Sequence, residues 1–199
     1  MTAKALPDWF LPPPDGWHSG DLDRLPPEAP RHIELIDGTL VVHCPQTVWH
    51  SKLISALFVW LAAQAPDGLE VMTRMTVWLG DRQRLEPDVL VIDGAAAVDL
   101  SRTWFRPDEV HLVIEVVSPE SETRDTRRKP QLYAEAGIRH FWRVDNDGGH
   151  AVVFAFELDP GSRSYAPVGV FRETMKLAAP FPIEMRVDTL DQWHPLSLS

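Results

Sequence analysis

The run HLVIEVV at 111–117 sets Glu115 in the middle of the most apolar, β-branched stretch of the chain. Short continuous runs of this kind form strands buried on both faces of a sheet, so the chain must cover a sheet on two sides. An ionised carboxylate in such a strand is costly unless a cation or hydrogen-bond donors neutralise it. A second run of the same character, DVLVI at 88–92, opens with Asp88 directly after Pro87. Side chains alternate across a strand, so Glu115 shares a face with Val113 and Val117. If the two runs are neighbouring strands, both carboxylates converge at one sheet edge, where they suit a hard divalent ion such as Mg²⁺. The alternative is a pair of carboxylates held by arginine or backbone donors, and Pro-Asp is also a common turn dipeptide.

The rest of the pattern predicts one α/β (α+β) domain. Residues 1–30 are dense in proline, which excludes long helices and central strands and leaves an extended arm packed on the domain, with a helical turn near 20–25. From residue 31 to 199 a single domain follows. IELI and TLVVHC flank Asp37-Gly38, a strong β-hairpin signal, and Cys44 reads as a small buried residue at the end of the second strand. Residues 47–65 carry Leu53, Ile54, Leu57, Phe58 and Leu61 at helical spacing, closed by Pro66-Asp67-Gly68. The stretch 69–79 alternates like one strand. A helix around LYAEAG ends at Gly137, and IRHFWRV then completes a β-α-β crossover with the Glu115 strand. Two more strands are expected near 150–158 and 165–172. Trp104, Trp142 and Trp193 read as core or interface residues.

Composition narrows the function classes. The formal net charge of the 199 residues is −10, which excludes a simple basic DNA-coating protein; nucleic-acid contact would need a local basic patch. A single cysteine cannot form an internal disulfide or a cysteine-rich zinc site. The eight histidines lack HExxH spacing, and GxSxG, P-loop and dinucleotide-binding fingerprints are absent. No apolar run approaches the roughly 20 residues that span a bilayer, and the N-terminal residues resemble neither an anchor nor a signal peptide, so no membrane association and a cytoplasmic location are expected.

Taken together, ELIDG at 34–38, His50 at the start of the first helix, EPDVLVI at 86–92, VIEVVSPES at 113–121 and DTRRKPQLYAEAGIRHFWRVD at 125–145 resemble the bacterial Uma family of restriction endonucleases, a branch of the PD-(D/E)XK nuclease superfamily. The likeness covers about residues 20–195. It implies a restriction-endonuclease-like mixed β-sheet core flanked by helices, with an N-terminal β-hairpin. It also implies a DNA endonuclease that uses Mg²⁺, or Mn²⁺ in its place. The superfamily's proline-aspartate falls on Pro87-Asp88 and its second acidic position on Glu115; with the main-chain carbonyl of Val116, these would hold the metal. Glu34 matches an acidic residue that completes the metal shell through water. The superfamily lysine is missing two residues after Glu115, where Val117 stands. The resemblance moves that role to Lys129, which shares a helical face with Tyr133.

Pro130 directly follows Lys129 and disfavours helical dihedrals there, so Lys129 is expected at the helix start with Pro130 in the first turn. A lysine at that place would orient the attacking water or receive its proton. Arg124, Arg127 and Arg128 are the natural phosphate contacts beside the site. His50 could ligate the metal or touch phosphate, although a lone histidine is more often structural. A homodimer would cut both strands, whereas a monomer would nick one. Val117 and Pro130 also admit a different class, a catalytically inactive nuclease-fold protein serving as a nucleic-acid-binding or assembly module. A carboxylate-pair glycosidase would use the same acids without metal.

Overall fold

The computed structural model describes residues 7–192. Positions 1–6 of the proline-rich arm, and Trp193, lie outside the described residues. Within the arm, the helical turn forms at Ser19–Arg24 as a 3-10 helix. Trp9, Trp17, Leu22, Leu25 and Ala29 pack against the buried Ile33, Leu35 and Leu40. Arg84, itself buried, ties the turn down by donating to Asp23 at 2.8 Å and to the Ser19 carbonyl at 3.2 Å.

The hairpin forms as the sequence directs. β1 (Ile33–Ile36) and β2 (Thr39–Val42) are antiparallel, and Asp37 and Gly38 between them both have positive φ, 51° and 76°. That pair of left-handed residues is what a two-residue hairpin turn demands. Cys44 falls two residues past the end of β2 and is exposed, not buried in a strand as its composition class suggested. α1 (Val48–Ala62) starts at Thr47, whose hydroxyl accepts from the His50 N–H at 3.2 Å.

The alternating stretch after α1 is two strands and not one. β3 (Leu69–Thr73) and β4 (Thr76–Gly80) are divided at Arg74, whose φ of 52° turns the chain into a different sheet. β5 (Gln83–Leu85), β6 (Val89–Asp93), β7 (Trp104–Phe105) and β8 (Val110–Val116) follow. A π-helical turn at Arg124–Arg128 runs into α2 (Lys129–Glu135). The chain then continues through β9 (His140–Asp147), β10 (His150–Asp159), β11 (Ser164–Phe171), β12 (Thr174–Leu177) and β13 (Ile183–Arg186).

The main sheet has six strands in the order β11-β10-β9-β8-β6-β3, and a smaller sheet has the order β2-β1-β5-β4-β7. β8 and β9 are parallel, joined by α2 as the crossover, while β6 and β8 are antiparallel neighbours. One face of the main sheet presents Val89, Val91, Leu112, Ile114 and Val116 to Leu53, Leu57 and Leu61 of α1, with the β12-β13 hairpin in the same layer. The other face presents Leu90, Ile92, Val113 and Phe141 to Leu132 and Tyr133 of α2 and to Val77 and Leu85 of the smaller sheet. Burial of each such side chain contributes about 1.5–3 kcal/mol. Glu115 follows Val113 by two residues, so it shares the face of α2 and the small sheet.

Candidate active site

Adjacency of β6 and β8 brings the two acidic positions together. Val89 lies opposite Ile114, which sets Asp88 beside Glu115 one step further along. Asp88 is fixed from β8 itself: its Oδ2 accepts from the Val116 N–H at 2.9 Å and lies 3.3 Å from His50 Nε2. His50 thus serves as a buried neighbour of Asp88, placed there by the Thr47 cap at the start of α1.

Glu115 is held from α2. Tyr133 donates its hydroxyl to Glu115 Oε1 at 2.6 Å, and Lys129 Nζ lies 3.2 Å from Oε2. The same ammonium lies 3.0 Å from Glu34 Oε1 and 3.1 Å from Asp125 Oδ1. Lys129 and its three carboxylate partners are all at most 2% exposed. Three successive positions of one helical face, Asp125, Lys129 and Tyr133, therefore point at Glu115. Lys129 keeps helical dihedrals, φ −60° and ψ −44°, although Pro130 follows it. The widened π turn just before it is where the backbone accommodates a proline in the first turn of α2, as such turns often do at functional sites.

Glu34 is the most elaborately bound acid of the group. Its Oε1 accepts from the Glu86 N–H at 2.8 Å, and its Oε2 lies 3.0 Å from His43 Nε2. Burial alone would push this carboxyl up, but Lys129, His43 and the Glu86 peptide outweigh it and hold the pKa at about 2. Burial also acts to lower the His43 imidazole, and the hydrogen bond and charge of Glu34 raise it above the usual histidine value. Glu115 goes the opposite way. Burial raises it well above the carboxylate range, and Asp125, Asp88 and Glu34 add like charge against the single attraction of Lys129. The contrast follows from the donors: the one ammonium is shared, and Glu34 has a histidine and a peptide N–H besides, which Glu115 lacks. The Lys129 ammonium loses by burial and gains more from Glu115, Glu34 and Asp125, so its pKa stands well above that of a free lysine. Tyr133, pushed up by burial and by the same carboxylates, stays a proton donor.

A cavity of about 250 Å³ opens onto this cluster, lined by Asp88, Glu115, Val116, Asp125 and Lys129 among others, with His43, Cys44 and His50 at its walls. The residues fit a hard divalent cation. Glu34, Glu115 and Asp125 share one lysine and Asp88 adds a fourth acid beside Glu115, a surplus that a cation offsets. Among the described residues no three or more His, Cys, Asp or Glu side chains form a ready metal cage. Two carboxylates and a peptide carbonyl suit an ion such as Mg²⁺, which is bound through one or two carboxylates and keeps several waters.

None of Arg124, Arg127 and Arg128 lines the cavity. Arg124 donates to Glu120 at 2.7 Å, and Arg128 grips the hairpin turn by donating to both oxygens of Asp37. Arg127 is exposed and forms no ion pair among the described residues. Sequence reasoning missed Asp125, His43 and the hydroxyl of Tyr133 as members of the site. The signal for Asp125 was available, since it stands four residues before Lys129 and eight before Tyr133. His43 carries no such signal, because its role depends on the register of the hairpin.

A mixed sheet with an acidic cluster at the end of two adjacent central strands, and a crossover helix packed on it, is a nuclease-type fold. The chain belongs to the Uma2 family, described as putative restriction endonuclease, whose model matches residues 20–190. Among solved structures it is similar to a putative nuclease of the DUF820 group from Anabaena variabilis ATCC 29413. The TM-score is 0.68 at 18% identity, covering 86% of this chain and 97% of that one. No curated protein matches the chain. Among the described residues no helix is long and apolar enough to cross a membrane.

Proposed function

We propose that the protein is a Mg²⁺-dependent DNA endonuclease, with Mn²⁺ as a substitute ion. The observation that carries the reading is the position of Lys129, buried at 3.0–3.2 Å from three carboxylates beside a cavity that Asp88 and Glu115 line. A purely structural core has little use for so costly an arrangement.

Asp88, Glu115 and the Val116 carbonyl would hold the divalent cation, which when bound supplies Lewis acidity toward the phosphoryl oxygens and a more acidic water. The protein's own groups do the rest. The Val116 N–H fixes Oδ2 of Asp88, a residue that lines the cavity. Tyr133 fixes the rotamer of Glu115. Lys129, whose pKa is raised, stays charged at neutral pH; it orients the attacking water and stabilises negative charge, and is too weak an acid to take that water's proton as a neutral amine. Glu34 and Asp125 hold the ammonium in place. Arg127, exposed and in no ion pair among the described residues, would supply a phosphate contact that an acidic protein otherwise lacks. A single such site cuts one strand, so double-strand cleavage would be carried out by a homodimer.

The test combines two readouts. Calorimetry is expected to show Mg²⁺ binding to the native protein that is lost in Asp88→Asn. Supercoiled plasmid and single-stranded DNA are expected to be cut in Mg²⁺ or Mn²⁺ and left intact in EDTA. Cation binding without cleavage of either substrate would replace this reading with a non-catalytic nucleic-acid-binding module.

A further inference from the structure

The helix that delivers Lys129 separates two cavities. Asp125 and Lys129 line the acidic one, while their immediate successors Thr126 and Pro130 line a second cleft of about 550 Å³ on the other side. Its floor is aromatic. Phe141 stacks on Phe156 with ring centroids 5.6 Å apart and 22° between planes, and Tyr165 leans on Phe141 at 5.4 Å. Phe156 and Tyr165 are only partly buried, so this floor is not sealed inside the core.

The walls are polar, with Arg143, Arg163 and Glu135 as their charged groups. Arg163 reaches over the end of α2 to donate to the Glu135 carbonyl at 2.7 Å, and is in no ion pair among the described residues. It does so from a left-handed backbone conformation, φ 52°, which is uncommon for arginine. Arg143 enters from β9, where it is paired in register with Glu115, and its guanidinium is balanced by Asp145 at 2.9 Å and 3.0 Å. Gln131 accepts a hydrogen bond from Arg128 through its carbonyl, which leaves its amide donors for another partner.

We propose that this cleft binds an unpaired nucleobase of the nucleic acid that occupies the acidic site; the inference rests on the nuclease reading above and extends it to recognition. The occupant follows from three features together. A planar aromatic ligand matches the stacked floor, because a base can stack on any exposed aromatic face. Solvent-exposed donors on Arg163 and Gln131 match the carbonyl and ring-nitrogen acceptors of a base edge. The two sites also meet across neighbouring strands, since Arg143 of the cleft is the register partner of Glu115 in the acidic cluster. Tyr133 joins the two sites physically: its hydroxyl holds Glu115 while its ring packs 6.1 Å from Phe141 in the floor of the cleft.

The experiment measures binding, independent of cleavage. A short fluorescein-labelled single-stranded oligodeoxynucleotide is titrated with the native chain in EDTA and read by anisotropy, beside the same strand with its central bases replaced by abasic sites. The native protein is expected to bind the intact strand about tenfold more tightly than the abasic one, the size of one base-stacking contact. Phe156→Ala is expected to lose most of that preference, and so is Arg163→Asn, a substitution that tolerates the left-handed backbone and leaves the core untouched. Equal affinity of the native protein for the two strands would overturn the proposal, as would an undiminished preference in both variants. A base preference that depends on these residues, in a protein that cuts nothing in Mg²⁺, would keep the cleft and dismiss the nuclease reading. Cleavage without base preference would do the reverse.

Discussion

Replacing Lys129 with methionine removes the ammonium that Glu34, Glu115 and Asp125 share while keeping most of the side-chain volume. Breaking a buried ion pair by removing one partner costs about 3–5 kcal/mol, because the opposite charge stays buried without compensation. Glu34 gives a second measure. The gap between its ordinary value of 4.5 and about 2 in the folded protein corresponds to ~3 kcal/mol, of which Lys129 is the largest favourable source.

The loss depends on pH, with a definite sign. In the native protein the Glu34 carboxyl is depressed, so its contribution is fully present above pH 4.5 and disappears as pH falls from there through about 2. In Lys129→Met the orphaned carboxylates have folded pKa values above their unfolded ones, so the variant is penalised as pH rises past 4.5 and recovers as it falls. Urea unfolding followed by tryptophan fluorescence is therefore expected to show a deficit of about 3 kcal/mol near pH 8 that shrinks toward pH 5. A deficit under about 1 kcal/mol near pH 8, or one of equal size at both pH values, would refute the argument that this lysine neutralises a buried acidic cluster.

Three further outcomes follow from the same geometry. Tyr133→Phe leaves Glu115 Oε1 without its donor and is expected to cost about 1–3 kcal/mol in urea unfolding and to weaken Mg²⁺ binding by calorimetry; unchanged Mg²⁺ affinity would show that the hydroxyl does not position Glu115. Glu34→Gln is expected to flatten the acid limb of the native stability curve between pH 4.5 and about 2, so an unaltered limb would assign acid sensitivity elsewhere. Leu57→Ala, in the α1 face that packs on β6 and β8, is expected to lower unfolding stability by about 2–5 kcal/mol. A loss below 1 kcal/mol would mean that α1 does not seat the sheet under the site.

Much of this arrangement could be read from residues because it is local or periodic. The Asp37-Gly38 turn, the α1 stripe and the β-branched runs around Asp88 and Glu115 each carry their own signal, and two apolar runs of that kind have few places to go except side by side. The failures are conformational choices that residue type does not announce. Arg74 at positive φ breaks what reads as one alternating strand into two strands of different sheets, because nothing about an arginine advertises the left-handed region. Cys44 emerges into the cavity wall because β2 ends at Val42. His43 joins Glu34 across a hairpin register that sequence spacing leaves open. Pro130 reads as an obstacle to Lys129, yet a π turn upstream lets the helix carry both, so the sequence conflict does not break the helix.

The central claim is that the acids around Lys129 form a cation-dependent phosphodiester-cleaving centre. The most direct measurement is a time course of supercoiled plasmid nicking and linearisation by purified protein in Mg²⁺, with Glu115→Gln purified and assayed in parallel. The native chain is expected to cleave in a reaction that EDTA abolishes and that Glu115→Gln, folded by circular dichroism, lacks. Cleavage that persists in Glu115→Gln or in EDTA would contradict it.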